Sequence, residues 1–436
     1  MTPGFIVAAP ASGSGKTLVT LGLLRHLRRE GVAVAAFKAG PDYIDPAFHR
    51  AASERPCRNL DGWAMRPATL ARNLAAISEA AELLVGEGVM GLFDGAPDGA
   101  GSTADLAVLL DLPVLLVVDV GGQASSAAAV VQGFRDYRPE VNVAAVVCNK
   151  VGGVGHRRAL DKALAPLGLP VLGYLPRDAA LAMPSRHLGL VQAAERSDLE
   201  DFIDAAGGLV GAHLDTAGLR ALARVPKAPT HDRPSPPLPP FGQRIAVAQD
   251  LAFAFVYDGV LAGWREAGAE LLPFSPLADE APAADADAVY LPGGYPELHA
   301  GRLAANRRFL DGLRDRAEAG AAIFGECGGY MVLGRGLIDA DGRRHRMAEL
   351  LPLETSFQER RLHLGYRRIR LLAAGPLGAE GAGFKGHEFH YASVVAETGA
   401  ASLFAAEDAL GDSLGEVGLT NGRVQGSFLH VIDCVD

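Results

Sequence analysis

The chain has 436 residues, 49% of them apolar and 21% charged, with a formal net charge of −10. That length exceeds one ordinary hydrophobic core and predicts two or three domains. The acidic balance argues against a nucleic-acid binder, which usually carries a basic face, but a local pocket can still receive an anionic small molecule.

The N-terminus lacks a basic start followed by an apolar run and cleavage site, so no leader is expected. No uninterrupted apolar run of about 18 residues predicts a membrane span. Residues 5–9 form a short apolar run that ends in a glycine-rich turn, and residues 16–29 read as a helix. Further short apolar runs follow at 32–38, 83–87, 113–119, 143–149 and 170–175, most of them separated by helical stretches. Strands alternating with helices imply a largely parallel sheet covered on both faces, an α/β class. Residues 224–243 hold seven prolines, which favours an extended, semi-rigid connector. A strand at 244–249, a helix over 255–267 and strands at 288–291 and 321–325 begin a second α/β unit. The expected domains are therefore 1–223 and 244–436, joined by 224–243. No internal repeat is evident.

The segment APASGSGKT, residues 9–17, matches most of a Walker-type phosphate loop, with Pro10 replacing the usual first glycine. It follows a strand and opens a helix, the context this motif requires. Small residues such as Gly13 and Gly15 let backbone N–H groups approach phosphate oxygens, and the helix N-terminus adds positive potential. Lys16 would reach the β/γ-phosphates and Thr17 would hold Mg²⁺. Two acidic segments belong to the same crevice. KAGPDYIDPAFH (38–49) carries Lys38, Asp42, Tyr43, Asp45 and His49, and Glu87 closes the third apolar run. Ligands of doubly wound sheets bind beyond the carboxyl ends of strands. Asp45 and Glu87 are thus candidate Mg²⁺ partners of Thr17, although Asp45 before Pro46 also suits a plain turn and Asp94 a loop cap. Asn149, closing a strand, either reads an adenine ring or ends that strand.

The second candidate site lies in AAIFGECGGYMVLGR (321–335), where an apolar strand meets Gly-Glu-Cys-Gly-Gly and then a helical pattern. This is the cysteine version of a nucleophile elbow, and the following helix N-terminus is expected to lower the Cys327 thiol pKa. Cys57, Cys148 and Cys434 read as small buried hydrophobes; no cysteine spacing suggests zinc, and a reducing, cytoplasmic setting fits. His430 in GSFLHVID is the candidate base, with His387 and His390 in GHEFHY as rivals. The glycine pair Gly293 and Gly294 of YLPGGYPE, together with Gly328, would supply oxyanion-hole N–H groups. A thiol with an oxyanion hole suits amide cleavage through a thioester. A Mg-nucleotide site suits activation of a carboxylate, which is already ionised near neutral pH and needs alignment and charge neutralisation more than a base. One chain holding both sites suggests that ammonia released at Cys327 is used at the phosphate site.

The segments APASGSGKT, KAGPDYIDPAFH, EGVMGLFDG, LPRDAALAMPSRHLGL (175–190), LPGGYPE, GECGGYM, GHEFHY and GSFLH together resemble the cobyrinic acid / hydrogenobyrinic acid a,c-diamide synthase family over essentially the whole chain. The resemblance implies a dethiobiotin synthetase-like P-loop domain followed by a class I glutamine amidotransferase domain. It implies that ATP phosphorylates the a and c acetates of a corrinoid, which ammonia from glutamine then amidates. Lys16, Thr17, Asp45 and Glu87 would hold Mg-ATP, and Cys327 and His430 would form the glutaminase pair. Lys38, Asp42, Tyr43, Arg186 and His187 lie in motifs that would face the polycarboxylate. The implied partners are glutamine and the corrinoid, without nucleic acid or membrane, and a homodimer is left open. One departure stands out. Triad amidotransferases carry His-x-Glu, whereas Ile432 follows His430 by two and Asp433 is one place off. A Cys-His dyad with weak or ATP-gated glutaminase activity is therefore expected. The competing readings are a cobyric acid synthase, a free-standing glutamine hydrolase with a nucleotide sensor, and a regulatory partitioning-type ATPase. The last usually has a lysine early in its loop, where this chain has Ala11 and Ser12.

Overall fold

The computed structural model describes residues 1–178, 185–186, 189–229, 236–397 and 399–435, with backbone alone at 185, 186, 189 and 190. The chain forms two compact units, Met1–Trp63 with Pro67–Pro234, and Ala64–Arg66 with Ser235–Asp436. Among the described residues no helix is long and apolar enough to cross a membrane.

The first unit is built on seven strands, β1 (Gly4–Ala8), β2 (Val34–Ala39), β3 (Arg58–Leu60), β4 (Leu83–Glu87), β5 (Val114–Asp119), β6 (Val143–Val151) and β7 (Val171–Pro176). They lie in the order β3-β2-β4-β1-β5-β6-β7, with every pairing parallel. All residues of β1, β2 and β4 are buried, as expected of parallel strands covered on both faces. The chain leaves β1 towards β2 on one side and reaches β5 on the other, so the crevice beyond the end of β1 is a topological switch point. Register then decides which side chains meet there: Glu87 stands beside Val7 of β1 and beside Lys38 of β2. Helix α1 (Lys16–Arg29) starts at the end of the loop after β1, and α2 (Asp45–Ser53) starts after β2. A small antiparallel pair, β8 (Ser185–Arg186) and β9 (Gly189–Leu190), stands apart from the main sheet.

The second unit begins with a parallel set, β10 (Arg244–Ala248), β11 (Glu270–Phe274), β12 (Ala288–Leu291) and β13 (Ala322–Glu326). A small sheet of β14 (Gly336–Ile338), β15 (Arg344–Arg346), β16 (Leu353–Ser356) and β19 (Ser393–Glu397) follows. The large sheet is completed by β17 (His363–Leu371), β18 (Gly383–His390), β20 (Ala401–Asp408), β21 (Ser413–Asn421), β22 (Val424–Ser427) and β23 (Leu429–Cys434), in the order β11-β10-β12-β13-β22-β21-β20-β17-β18-β23. β22 joins β13 in parallel, and from β21 onward the pairing is antiparallel. The helix expected over 255–267 spans only Asp258–Glu266, because Phe255 instead pairs with Gly293 in an isolated bridge.

The proline-rich segment is not free along its described length. Arg224 bridges Gly4, while Leu238 and Phe241 are buried in the second unit, where Phe241 meets Trp264 edge-on. Within the second unit, Arg66 also grips the fully buried carboxylate of Asp433: its backbone N–H donates at 2.7 Å and its guanidinium at 3.0 and 2.8 Å. Removing one partner of a buried pair is costly. Arg66→Ala should destabilise this unit by about 3 kcal/mol, read by urea unfolding of Trp264 fluorescence in a Trp63→Phe background; an unchanged midpoint would show that the pair contributes nothing.

Candidate active sites

The phosphate loop is held in shape from behind. Gly15 adopts φ 101° at the N-terminus of α1, a backbone region that disfavours side chains. A Cβ there would also collide with the Asn149 amide. Asn149 is buried on β6, donates from Nδ2 to the Ser14 carbonyl at 2.9 Å and accepts the Lys150 N–H. Its amide braces the loop, a task distinct from the adenine reading considered above. Gly13 also has positive φ. Lys16 Nζ donates to the Met90 carbonyl at 2.5 Å, and its burial pulls its pKa down.

Beside the loop lies a buried cluster of opposite charges. Thr17 Oγ1 donates to Glu87 Oε1 at 2.7 Å. Lys38 Nζ donates to Asp45 Oδ2 and, at 3.0 Å, to the same Glu87 oxygen. His49 Nε2 meets Glu87 Oε2 at 2.6 Å, and Cys57 Sγ lies 3.6 Å from His49 Nδ1. Burial pushes the Glu87 pKa up, but Lys38 and His49 outweigh it and hold the carboxyl well below the usual range. The same contest runs the other way for His49, where Glu87 overrides burial and raises the imidazole to about 10. Burial and the neighbouring Asp42 lift Asp45 to about 7 against the pull of Lys38. Asp45 is the first residue of α2, and Asp42 Oδ1 accepts the N–H groups of Ile44 and Asp45, so the loop and helix start form one turn.

Lys38 and Tyr43, expected to face an anionic substrate, are both buried. The Lys38 ammonium lies between two buried carboxylates and neutralises them in place, and its pKa rises because Asp45 and Glu87 overcome burial. Asp42 is half-buried and largely occupied with the turn. His187 lies outside the described residues, and of Arg186 only the backbone is described. Asp94 caps the loop through the Gly91 N–H. His49 belongs to the cluster as fully as any predicted ligand. Its position one helical turn after Asp45 was the available signal.

In the second unit β13 runs into Cys327, whose φ of 47° and ψ of −103° mark the sharp turn of an elbow. Helix Gly328–Leu333 follows at once. The expectation of a lowered thiol pKa is overturned. Cys327 is 3% exposed, burial pushes the thiol up strongly, and the nearby Glu297 adds to this, against a pull from the Gly328 N–H. A six-residue helix next to a buried sulfur does not offset that desolvation. His430 is fully buried on β23, and burial followed by the neighbouring His387 and His390 lowers it to about 3. At rest the pair is therefore thiol and neutral imidazole.

Gly293 shows how closely the two side chains approach. A Cβ on it would run into His430 Cε1 and stand 2.9 Å from Nε2 and 3.2 Å from Cys327 Cβ. The Nε2 edge of the ring and the base of the thiol thus converge on one small space. Gly294 N lies 3.0 Å from where a Gly328 Cβ would stand, so these two backbone segments lie against each other. Gly293→Ala should cost at least ~10²-fold in glutamine turnover, since that methyl displaces the base. Ammonia-driven turnover serves as the control, and a wild-type rate with glutamine would contradict the geometry.

The rival histidines have other partners. His387 is the cross-strand neighbour of His430. His390 Nε2 meets Glu388 Oε1 at 3.0 Å, and its ring stacks on Phe428 and on His363. Asp433 is tied to Arg66. A carboxylate the sequence reasoning passed over, Glu326, lies beside His430 instead: its Oε2 is 3.9 Å from His430 Nδ1. The signal was a single acid ending the otherwise apolar strand before the elbow.

Two known families match these units: a CobQ/CobB/MinD/ParA nucleotide binding domain over residues 5–191, and a CobB/CobQ-like glutamine amidotransferase domain over residues 244–433. Over 431 residues the chain is 56% identical to the hydrogenobyrinate a,c-diamide synthase of Brucella anthropi, covering 99% of this chain and 98% of that protein. The chain belongs to the hydrogenobyrinate a,c-diamide synthase family. Its likeness to the synthase of that name from Brucella suis is 57%, over 99% of this chain and 98% of that protein. To the Rhizobium meliloti synthase it is 53%, over 99% of each. In this family member the nucleotide-binding domain carries the Lys16 loop and the glutamine amidotransferase domain carries the Cys327 elbow.

Proposed function

We propose that this chain uses ATP to phosphorylate the a and c acetate carboxylates of hydrogenobyrinate and amidates them with ammonia taken from glutamine. The observation that carries this reading is full-length similarity to synthases named for that product, in a chain holding both a phosphate loop and a cysteine elbow. In the first unit, Gly13, Gly15 and Lys16 cradle the phosphates. Thr17, Asp45 and Glu87 form the donor set that would hold Mg²⁺; all three offer oxygen, and the Lys38 ammonium now among the carboxylates marks a place built for positive charge. Bound there, the ion would neutralise developing phosphate charge.

In the second unit, His430 takes the Cys327 proton as sulfur attacks the glutamine amide carbon. The Gly293, Gly294 and Gly328 backbone stabilises the oxyanion, His430 returns the proton to the leaving nitrogen, and ammonia departs as the thioester forms. Water then releases glutamate. Burial favours the neutral thiol, so its proton passes to His430 as the sulfur attacks. Four free cysteines fit a reducing cytoplasm, where ATP and glutamine are available.

Mass spectrometry of hydrogenobyrinic and cobyrinic acids incubated with the enzyme, Mg-ATP and glutamine tests the reading. Successive carboxylate-to-amide conversions at the a and c positions of the cobalt-free ring are expected. Amidation at other side chains, or none, would overturn it.

A further inference from the structure

The His-x-Glu carboxylate of triad amidotransferases is missing after His430, yet its place beside the imidazole is filled from another strand. We infer that Glu326, the residue immediately before the nucleophile, is the third member of the glutaminase site and positions His430. The inference rests on the glutaminase role proposed for Cys327 and His430.

The geometry supports it on three sides. The Nε2 edge of His430 shares the space at Gly293 with the Cys327 side chain. The opposite nitrogen, Nδ1, stands 3.9 Å from Glu326 Oε2. That is an ion-pair separation, close enough to steady the ring's charge as Nε2 takes the thiol proton and Nδ1–H stays in place. The carboxylate is itself fixed. Glu326 Oε1 accepts the N–H of Val431, the neighbour of His430 in β23, at 3.0 Å. Oε2 accepts the Tyr290 hydroxyl at 2.7 Å. The Tyr290 ring is held edge-on by Trp264 and lies stacked near Phe324. Glu326 is 2% exposed, and burial raises its carboxyl to about 7 against the hydrogen bonds from Tyr290 and Val431. The other acid on β23, Asp433, is already held by Arg66.

Adjacent placement has a chemical logic. Nucleophile and positioning acid are consecutive residues of one elbow, so the turn that lifts the thiol out of the sheet also sets the acid against the base. Removing the carboxylate of a Ser-His-Asp triad costs ~10⁴-fold. Glu326 stands beyond hydrogen-bond distance from the ring, so a smaller loss, on the order of 10²-fold, is expected here.

The test compares Glu326→Gln, Glu326→Asp and Cys327→Ala in the full-length enzyme with hydrogenobyrinic acid and Mg-ATP, supplied with glutamine or with ammonium. Glu326→Gln should lower the glutamine-driven kcat on the order of 10²-fold while leaving ammonium-driven turnover intact. The loss should fall on kcat with the KM for glutamine nearly unchanged, because a positioning residue does not touch the substrate. Glu326→Asp, which keeps the charge, should recover part of the rate. A Glu326→Gln rate within about 3-fold of wild type, beside an inactive Cys327→Ala, overturns this proposal alone. A loss with no recovery in Glu326→Asp also overturns it, in favour of a packing role. Persistent glutamine use by Cys327→Ala would overturn the glutaminase reading, and this inference with it.

Discussion

Replacing Cys327 with alanine should abolish glutamine-driven amidation and leave the ammonium-driven reaction within about 2-fold of wild type. The nucleophile is the group that becomes covalently bound, so its loss removes the thioester route entirely. In a comparable acyl-transfer site, losing the nucleophile costs ~10⁶-fold. Here the fall should reach the assay floor, at least ~10³-fold. The fold should tolerate the change, since alanine meets the same positive φ that cysteine already bears and only the sulfur is lost. The rates are read as amide formation on the corrinoid with each nitrogen source. Equal loss of both, or loss of neither, would mean that the two sites do not divide the work as proposed.

The second large effect lies in the other unit. Lys16→Met should lower ATP-dependent amidation by roughly 10²- to 10³-fold with either nitrogen source. The side chain keeps its length and apolar stem but loses the one charge the loop directs at the phosphates. Lys16 is 8% exposed and its ammonium rests on the Met90 carbonyl, so the cost of burying a charge is already met in the folded protein. Methionine avoids that cost, and stability should not fall. Labelling of Cys327 by a glutamine-like electrophile should keep its stoichiometry in Lys16→Met and vanish in Cys327→Ala. Undiminished amidation by Lys16→Met would remove the phosphate role from this lysine.

Much of this was legible in the residues because local rules and the final fold agree. Residues 16–29 and 83–87 match α1 and β4 as predicted, and the Gly-x-Cys-x-Gly elbow appears where its strand and helix placed it. Parallel strands announce themselves as short apolar runs. The antiparallel strands β17, β20 and β21 do not, because exposed and half-buried positions interrupt the buried ones and the pattern is diluted by glycine and charge. β3 spans three residues, Arg58–Leu60, too few for any periodicity to register. At the sites, motifs identified the residue types, but burial decided their state. The sequence places Lys38 in a loop rich in acids; only the β2–β4 register shows that it faces Glu87. Likewise, the helix after Cys327 suggested an activated thiol, whereas desolvation, which no motif encodes, dominates. Glu326 was hidden for a related reason: its partners Tyr290, Val431 and His430 come from strands far apart in the chain.

The enclosure of Cys327 also bears on how the enzyme ages. Peroxide and alkylating agents attack thiolates that solvent can reach. A sulfur that is 3% exposed and held as the neutral thiol offers them little. The idle enzyme should therefore withstand aerobic storage, and oxidative damage to its nucleophile should accumulate with turnover, when catalysis itself generates the thiolate.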